Sequence, residues 1–198
     1  MGAGAQTVTD DDADAVRGRG LRPRSALRPS PPEYFTPNEA GEPVLRRGPV
    51  ADWEALHALL VESFAGMEGR IDPPSSLAAM TPDALRAKAA AEVLVTLWEG
   101  EALAGCGFLK DTGRSVYLGK LAVRADLRGR GLLRRIVAEA DAVARELGRP
   151  VLALQTRVEL TENHAAFARL GFREVGRTVH PGYDRPTSVT MERPVPPA

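Results

Sequence analysis

A single cysteine, Cys106, occurs in 198 residues. No disulfide can close within the chain, and a cytoplasmic setting is the expectation. Long apolar runs are also lacking. None approaches the ~18 residues of a membrane-spanning helix, so no membrane association is expected. The opening residues, Met1-Gly2-Ala3-Gly4-Ala5, soon give way to acidic sequence, so no secretory signal is expected. Neither sign of charge is in excess. The formal net charge is zero, which excludes a global attraction to nucleic acid or an anionic membrane. His57, His164 and His180 lack zinc-ligand spacing, so no metal is expected. Walker A and dinucleotide fingerprints are absent as well.

What is present is an apolar content of 43%, enough for a sizeable core in one domain plus an extension. Residues 1–42 are expected to be a poorly ordered extension. Asp10, Asp11, Asp12 and Asp14 form an acidic cluster, Arg17, Arg19, Arg22, Arg24 and Arg28 a basic one, and Pro23, Pro29, Pro31 and Pro32 break regular elements. This segment reads as a solvated linker rather than a binding tail. The domain is expected over 43–193, with a tail over 194–198 too proline-rich to continue a sheet.

Within the domain, 44–47 suits a short strand. Asp52 is placed to cap a helix carrying Trp53, Leu56, Leu59, Leu60 and Phe64 on one side. Residues 66–74 are loop-like, and a helical turn is expected over 75–80. Thr81-Pro82 then reads as a helix start. Strands over 93–98, 102–110 and 115–123 form an antiparallel meander. A strand at 151–155 follows a helix and is expected to lie parallel to the third of these. Thr161 is placed to cap a helix that Gly171 ends, and a final strand pair is expected over 172–179 and 187–192.

The chain is organised around 121–147. Leu121-Ala122-Val123 closes a buried strand, and Arg128-Gly129-Arg130-Gly131 forms a loop. Then Leu132, Leu133, Ile136, Val137, Ala140, Val143, Ala144 and Leu147 recur on one helical face. Arg135/Glu139 and Asp141/Arg145 are spaced as i,i+4 pairs, and Gly148-Pro150 suits the helix end. The N–H groups of a helix start lack intrahelical partners and carry partial positive charge. Glycines let main chain approach a ligand, and Arg128, Arg130, Arg134 and Arg135 add charge. The loop therefore suits a pyrophosphate or similar anion, and equally suits a tight turn with solvated arginines.

This order of elements, with Arg128-Gly129-Arg130-Gly131-Leu132-Leu133 at a strand–helix junction, resembles the GNAT superfamily of acyl-CoA-dependent N-acyltransferases. Leu133 departs from the small residue of the family pattern. Asn163-His164-Ala165-Ala166-Phe167-Ala168-Arg169-Leu170-Gly171-Phe172 is similar to a second family segment. The resemblance implies an α/β fold with a mixed, mostly antiparallel sheet of six or seven strands flanked by helices. It implies acetyl-CoA as cosubstrate and a small-molecule or peptide amine as acceptor, with homodimer formation left open. The implied cofactor-binding residues are Leu121, Ala122, Val123, Arg128, Gly129, Arg130, Gly131, Leu132, Leu133, Asn163 and Phe167. A non-catalytic acyl-CoA-binding domain is the rival expectation.

The proton-transfer groups of the family are missing at their usual places. No carboxylate lies between Ser115 and Val123, where only Tyr117 and Lys120 are offered, and Phe167 occupies a position that many members fill with tyrosine. Glu62, Glu68, Glu159, Tyr183 and Asp184 are the remaining polar candidates. Tyr183 leads them because the resemblance sets its loop near the acceptor, and water is the alternative. Cys106, flanked by Gly105 and Gly107, reads as a small core residue. Trp53 and Trp98 also read as core, and His164 as helix surface.

Overall fold

The computed structural model describes residues 42–197, so the N-terminal extension expected over 1–42 lies outside the described residues except for Glu42. Seven strands form one sheet in the order β1-β2-β3-β4-β5-β7-β6. They are β1 (Val44–Arg47), β2 (Val93–Glu99), β3 (Ala102–Asp111), β4 (Val116–Val123), β5 (Val151–Arg157), β6 (Arg173–Thr178) and β7 (Ser188–Pro194). Only β4 and β5 pair in parallel, as expected for strands joined through a helix; every other neighbouring pair is antiparallel. The helices are α1 (Trp53–Phe64), α2 (Pro82–Ala91), α3 (Leu132–Glu146) and α4 (Thr161–Arg169).

Strand alternation divides the core between two faces. Leu94 of β2 packs with Trp53, Leu56, Leu60, Leu85 and Phe108 beneath α1 and α2. Its neighbours Val95 and Leu97 point the other way, to Ile136, Val137, Ala140 and Ala144 of α3. Gly107 permits the close approach of α3. A Cβ there would lie 2.8 Å from Leu121 and 3.0 Å from Ile136. No helix among the described residues is long and apolar enough to cross a membrane.

The helix starts follow the expected chemistry twice. Asp52 accepts from the N–H of Ala55 at 2.8 Å, and Thr81 accepts from Ala84 at 3.2 Å with Pro82 in the first turn. Thr161 differs: it is the first helical residue of α4, and Leu160 holds the cap position without a side-chain bond. Leu160 is fully buried and its carbonyl accepts from Asn163 and His164, so packing rather than a hydroxyl sets this start.

The two expected i,i+4 pairs on α3 give way to longer-range partners. Glu139 pairs with Arg47 of β1, which also holds Glu146 at 2.8 Å. Asp141 is buried and takes both its oxygens to Arg193 of β7. Arg145 instead reaches the carbonyl of Pro196 at 3.2 Å. The tail also differs from expectation: Pro194 pairs with Val151, and the N–H of Val195 donates to Pro150 at 2.9 Å. Pro194 is tolerated because β6 begins opposite Glu192, leaving no strand beside the proline nitrogen. Trp98 is half-buried rather than core, with its Nε1 donating to Thr96 and Arg46 over its ring.

Candidate active site

The middle of the sheet is split. β4 and β5 pair only at Val116–Leu152, Tyr117–Ala153 and Leu118–Leu154. Beyond that, β5 stays paired to β7 and β4 to β3, so Gly119 to Val123 and Gln155 to Arg157 diverge. A bulge marks the point of divergence. Between the pairs Cys106–Ala122 and Phe108–Gly119, β4 has one residue more than β3. Lys120, at the bulge, has φ 49°, the only positive φ outside glycine among the described residues. Its carbonyl accepts from Cys106 Sγ at 3.7 Å and its Nζ donates to Ser76 at 2.8 Å.

Leu121, Ala122 and Val123 therefore lie on the open edge of β4, and the glycine loop follows directly. Arg124 anchors the loop, bonding Glu99 at 2.5 Å and Asp126 at 2.7 Å, and Leu127 is buried beneath it. Gly129 and Gly131 have φ of 79° and 80°, a left-handed conformation that disfavours any other residue. A Cβ at either would meet nothing within 4 Å, so open space lies before the loop. Gly131 caps α3 without a side-chain bond, and the first ladder bond runs from Arg135 N–H to Gly131. The N–H groups of Leu132, Leu133 and Arg134 precede that ladder. Arg130 is exposed and contacts Glu99 at 3.4 Å.

Two implied residues stand on α4. Asn163 is half-buried in its first turn, and Phe167 is buried edge-on against Phe172, their centroids 6.1 Å apart. His164 is half-buried rather than fully on the surface, bonding the carbonyl of Arg157. Arg169, at the end of α4, joins Arg134 and Arg193 around a groove of about 440 Å³. Sequence reasoning overlooked Arg169, although it lies inside the second resembling segment.

Tyr183 is not brought to the loop. It lies across the split, where its hydroxyl donates to Asp72 at 2.5 Å, a bond that raises the phenol pKa. Arg185 also bonds Asp72, at 2.9 Å, and lies 3.8 Å from Glu159. Arg157, at the end of β5, donates to the carbonyl of Pro73 at 2.7 Å and contacts His180. Burial lowers the pKa of Arg157. Arg157 Nε and Glu159 Oε2 are buried without a partner. Asp72, Arg157 and Arg185 went unnoticed in the sequence, because they come from three separated segments with no shared spacing. Glu62 and Asp184 have no side-chain role among the described contacts.

The split parallel pair opening onto a glycine-kinked helix start is the arrangement that the resemblance to acyl-CoA-dependent N-acyltransferases implies. Comparison with known families agrees: the Acetyltransferase (GNAT) family matches residues 53–172, and the chain belongs to that family. Solved structures share the fold. The ribosomal-protein-S18-alanine N-acetyltransferase from Escherichia coli is 18% identical, with 79% of this chain and 96% of that one covered and a TM-score of 0.58. A Bacillus subtilis acetyltransferase in complex with CoA is 19% identical, with coverage of 77% and 99% and a TM-score of 0.57. A GNAT-family acetyltransferase from Staphylococcus aureus is 12% identical, with coverage of 78% and 99% and a TM-score of 0.62. The comparison with curated proteins finds no match.

Proposed function

We propose that this chain moves an acyl group, acetyl first, from acyl-CoA to a primary amine by direct attack in a ternary complex. The observation that carries the reading is the split between β4 and β5 opening directly onto the glycine-kinked start of α3. Acyl-CoA supplies the thioester. The backbone N–H groups of Gly129, Arg130, Gly131, Leu132 and Leu133 hold the pyrophosphate, with Arg130 and Arg134 adding charge. Leu121, Ala122 and Val123 present the open edge of β4 to the amide-bearing pantetheine arm, and Asn163 and Phe167 flank that arm. Backbone donors at the bulge stabilise charge developing on the thioester oxygen. The ammonium gives up a proton to water, the C–N bond forms as the C–S bond breaks, the nitrogen loses a second proton to solvent, and the sulfur leaves with a proton. Tyr183 is the candidate donor of that proton and water is the alternative, since Phe167 has none to give.

Thiol release from acetyl-CoA with a panel of amines, antibiotics and peptides tests the reading. Acceptor-dependent release is expected. CoA binding without release on any acceptor would favour a non-catalytic acyl-CoA-binding domain, the reading that Phe167 and the carboxylate-free β4 support.

A further inference from the structure

The connection between α1 and α2 wraps a cavity of about 420 Å³. Val61 and Phe64 of α1 and Met67, Ile71 and Leu77 of the connection form its apolar wall. Val61 is 48% exposed, one of two large apolar side chains left so open among the described residues. The charged residues lining the cavity are both acids, Glu68 and Asp72; neither lysine nor arginine lines it. Asp72 is engaged by Tyr183 and Arg185, whereas Glu68 has no ion pair among the described residues.

The frame of this cavity is fastened to the split in the sheet at three points. Ser63, beside Phe64, accepts from Arg128 of the glycine loop at 3.2 Å. Ser76, beside Leu77, accepts from Lys120 of the β4 bulge at 2.8 Å. Pro73 accepts from Arg157, at the end of β5, at 2.7 Å. These three bonds tie the segments that frame the cavity to residues at the open seam, on the face of the sheet away from α3.

We propose that this cavity selects the acceptor as a primary amine on a linear alkyl or aralkyl body. The body lies against Val61, Phe64, Met67 and Ile71, with the cationic end toward Glu68. The proposal rests on the acyltransferase reading above. Charge complementarity supports it: an alkylammonium is cationic at neutral pH, and Glu68, an acid without an ion pair in a lining that holds no lysine or arginine, favours it. Each methylene removed from water against the apolar wall strengthens binding about fourfold.

The test compares n-hexylamine with ethylamine on the full chain saturated with CoA, by calorimetry, and the same amines with acetyl-CoA by thiol release. Hexylamine should bind at least ~10-fold more tightly, since four added methylenes would give roughly 200-fold if fully buried. Ala65→Phe fills the cavity and should reduce that ratio to below about threefold, with CoA affinity unchanged as the check on folding. Glu68→Gln, at an exposed side chain, is the second variant. It should weaken hexylamine severalfold but leave competition by 1-hexanol unaltered. Acetylation of amines without chain-length preference would overturn the proposal and leave acyltransfer standing. Preferential hexylamine binding, lost in Ala65→Phe, without acetylation of any amine would sustain the cavity and overturn acyltransfer. A dimer in sedimentation that Ala65→Phe dissociates, with no amine bound, would assign the cavity to a second copy of the chain and overturn the proposal.

Discussion

The guanidinium of Arg128 donates to the carbonyl of Ser63, 3.2 Å away and 65 residues earlier in the chain. Ser63 lies in the last turn of α1, where carbonyls lack helical partners and the dipole is negative. Arg128 Nε also reaches the carbonyl of Val123 at 3.4 Å. The arginine of the loop therefore braces α1 to the end of β4. Arg128→Ala should lower stability by roughly 1 kcal/mol and weaken CoA binding through a loosened loop. Denaturant titration with calorimetry would check both. Lost affinity with full stability would mean that the guanidinium contacts the ligand rather than the scaffold.

Gly131 has φ 80° and caps α3. Gly131→Asp should weaken CoA binding at least ~10-fold, because it sets negative charge at the anion site and strains the backbone. Gly131→Ala isolates the strain, at about 1–2 kcal/mol. Unchanged CoA affinity in folded Gly131→Asp would show that the phosphates bind elsewhere.

Phe167 is 9% exposed and packs edge-on to Phe172. Phe167→Tyr should keep the melting temperature, and it should maintain or raise turnover, since a phenol supplies the proton that phenylalanine lacks. Phe167→Ala should cost about 3–5 kcal/mol. A large fall in melting temperature for Phe167→Tyr would mean that the ring lies in a closed core and that no room for a hydroxyl adjoins the ligand.

Burial pushes the Cys106 thiol up to about 12. The unfolded chain ionises near 9, the folded one only near 12, so between these values the unfolded state binds fewer protons. The contribution of Cys106 is therefore intact below pH 9 and is lost as pH rises, by about 1.4 kcal/mol per unit. Cys106→Ala should show a flatter fall in stability above pH 9 than the parent. A thiol reagent at pH 8 should find no reactive cysteine until denaturant is added. Immediate labelling of the native chain would contradict the burial.

The sequence reading located what depends on local chemistry. The face of α3, the caps at Asp52 and Thr81, and the glycines at 129, 131 and 171 obey rules confined to one turn or one strand, and each appears in the structure. What escaped it depends on distance. Asp141 sits at a position that pairs with Arg145 by spacing alone, yet the fold brings Arg193 to it. The brace from Arg128 to Ser63 and the Asp72–Tyr183–Arg185 cluster join segments far apart in the chain, which periodicity cannot register. Lys120 shows the same limit: a left-handed lysine is legitimate only because the register between β3 and β4 slips there.

The short pairing of β4 with β5 turns the sheet into a ruler. From Gly119 to Val123 the edge turned away from β3 spans five residues, somewhat short of the roughly 16 Å of a regular strand because of the bulge at Lys120. An extended molecule anchored at the start of α3 and lying along that edge reaches a depth set by the protein's own backbone. Lengthening the molecule at its far tip does not shift the anchored portion. The added atoms must emerge past Lys120, toward the connection between α1 and α2. On the proposed acyltransferase reading, the space behind the bulge, not the grip at the helix, would limit the size of the group delivered there.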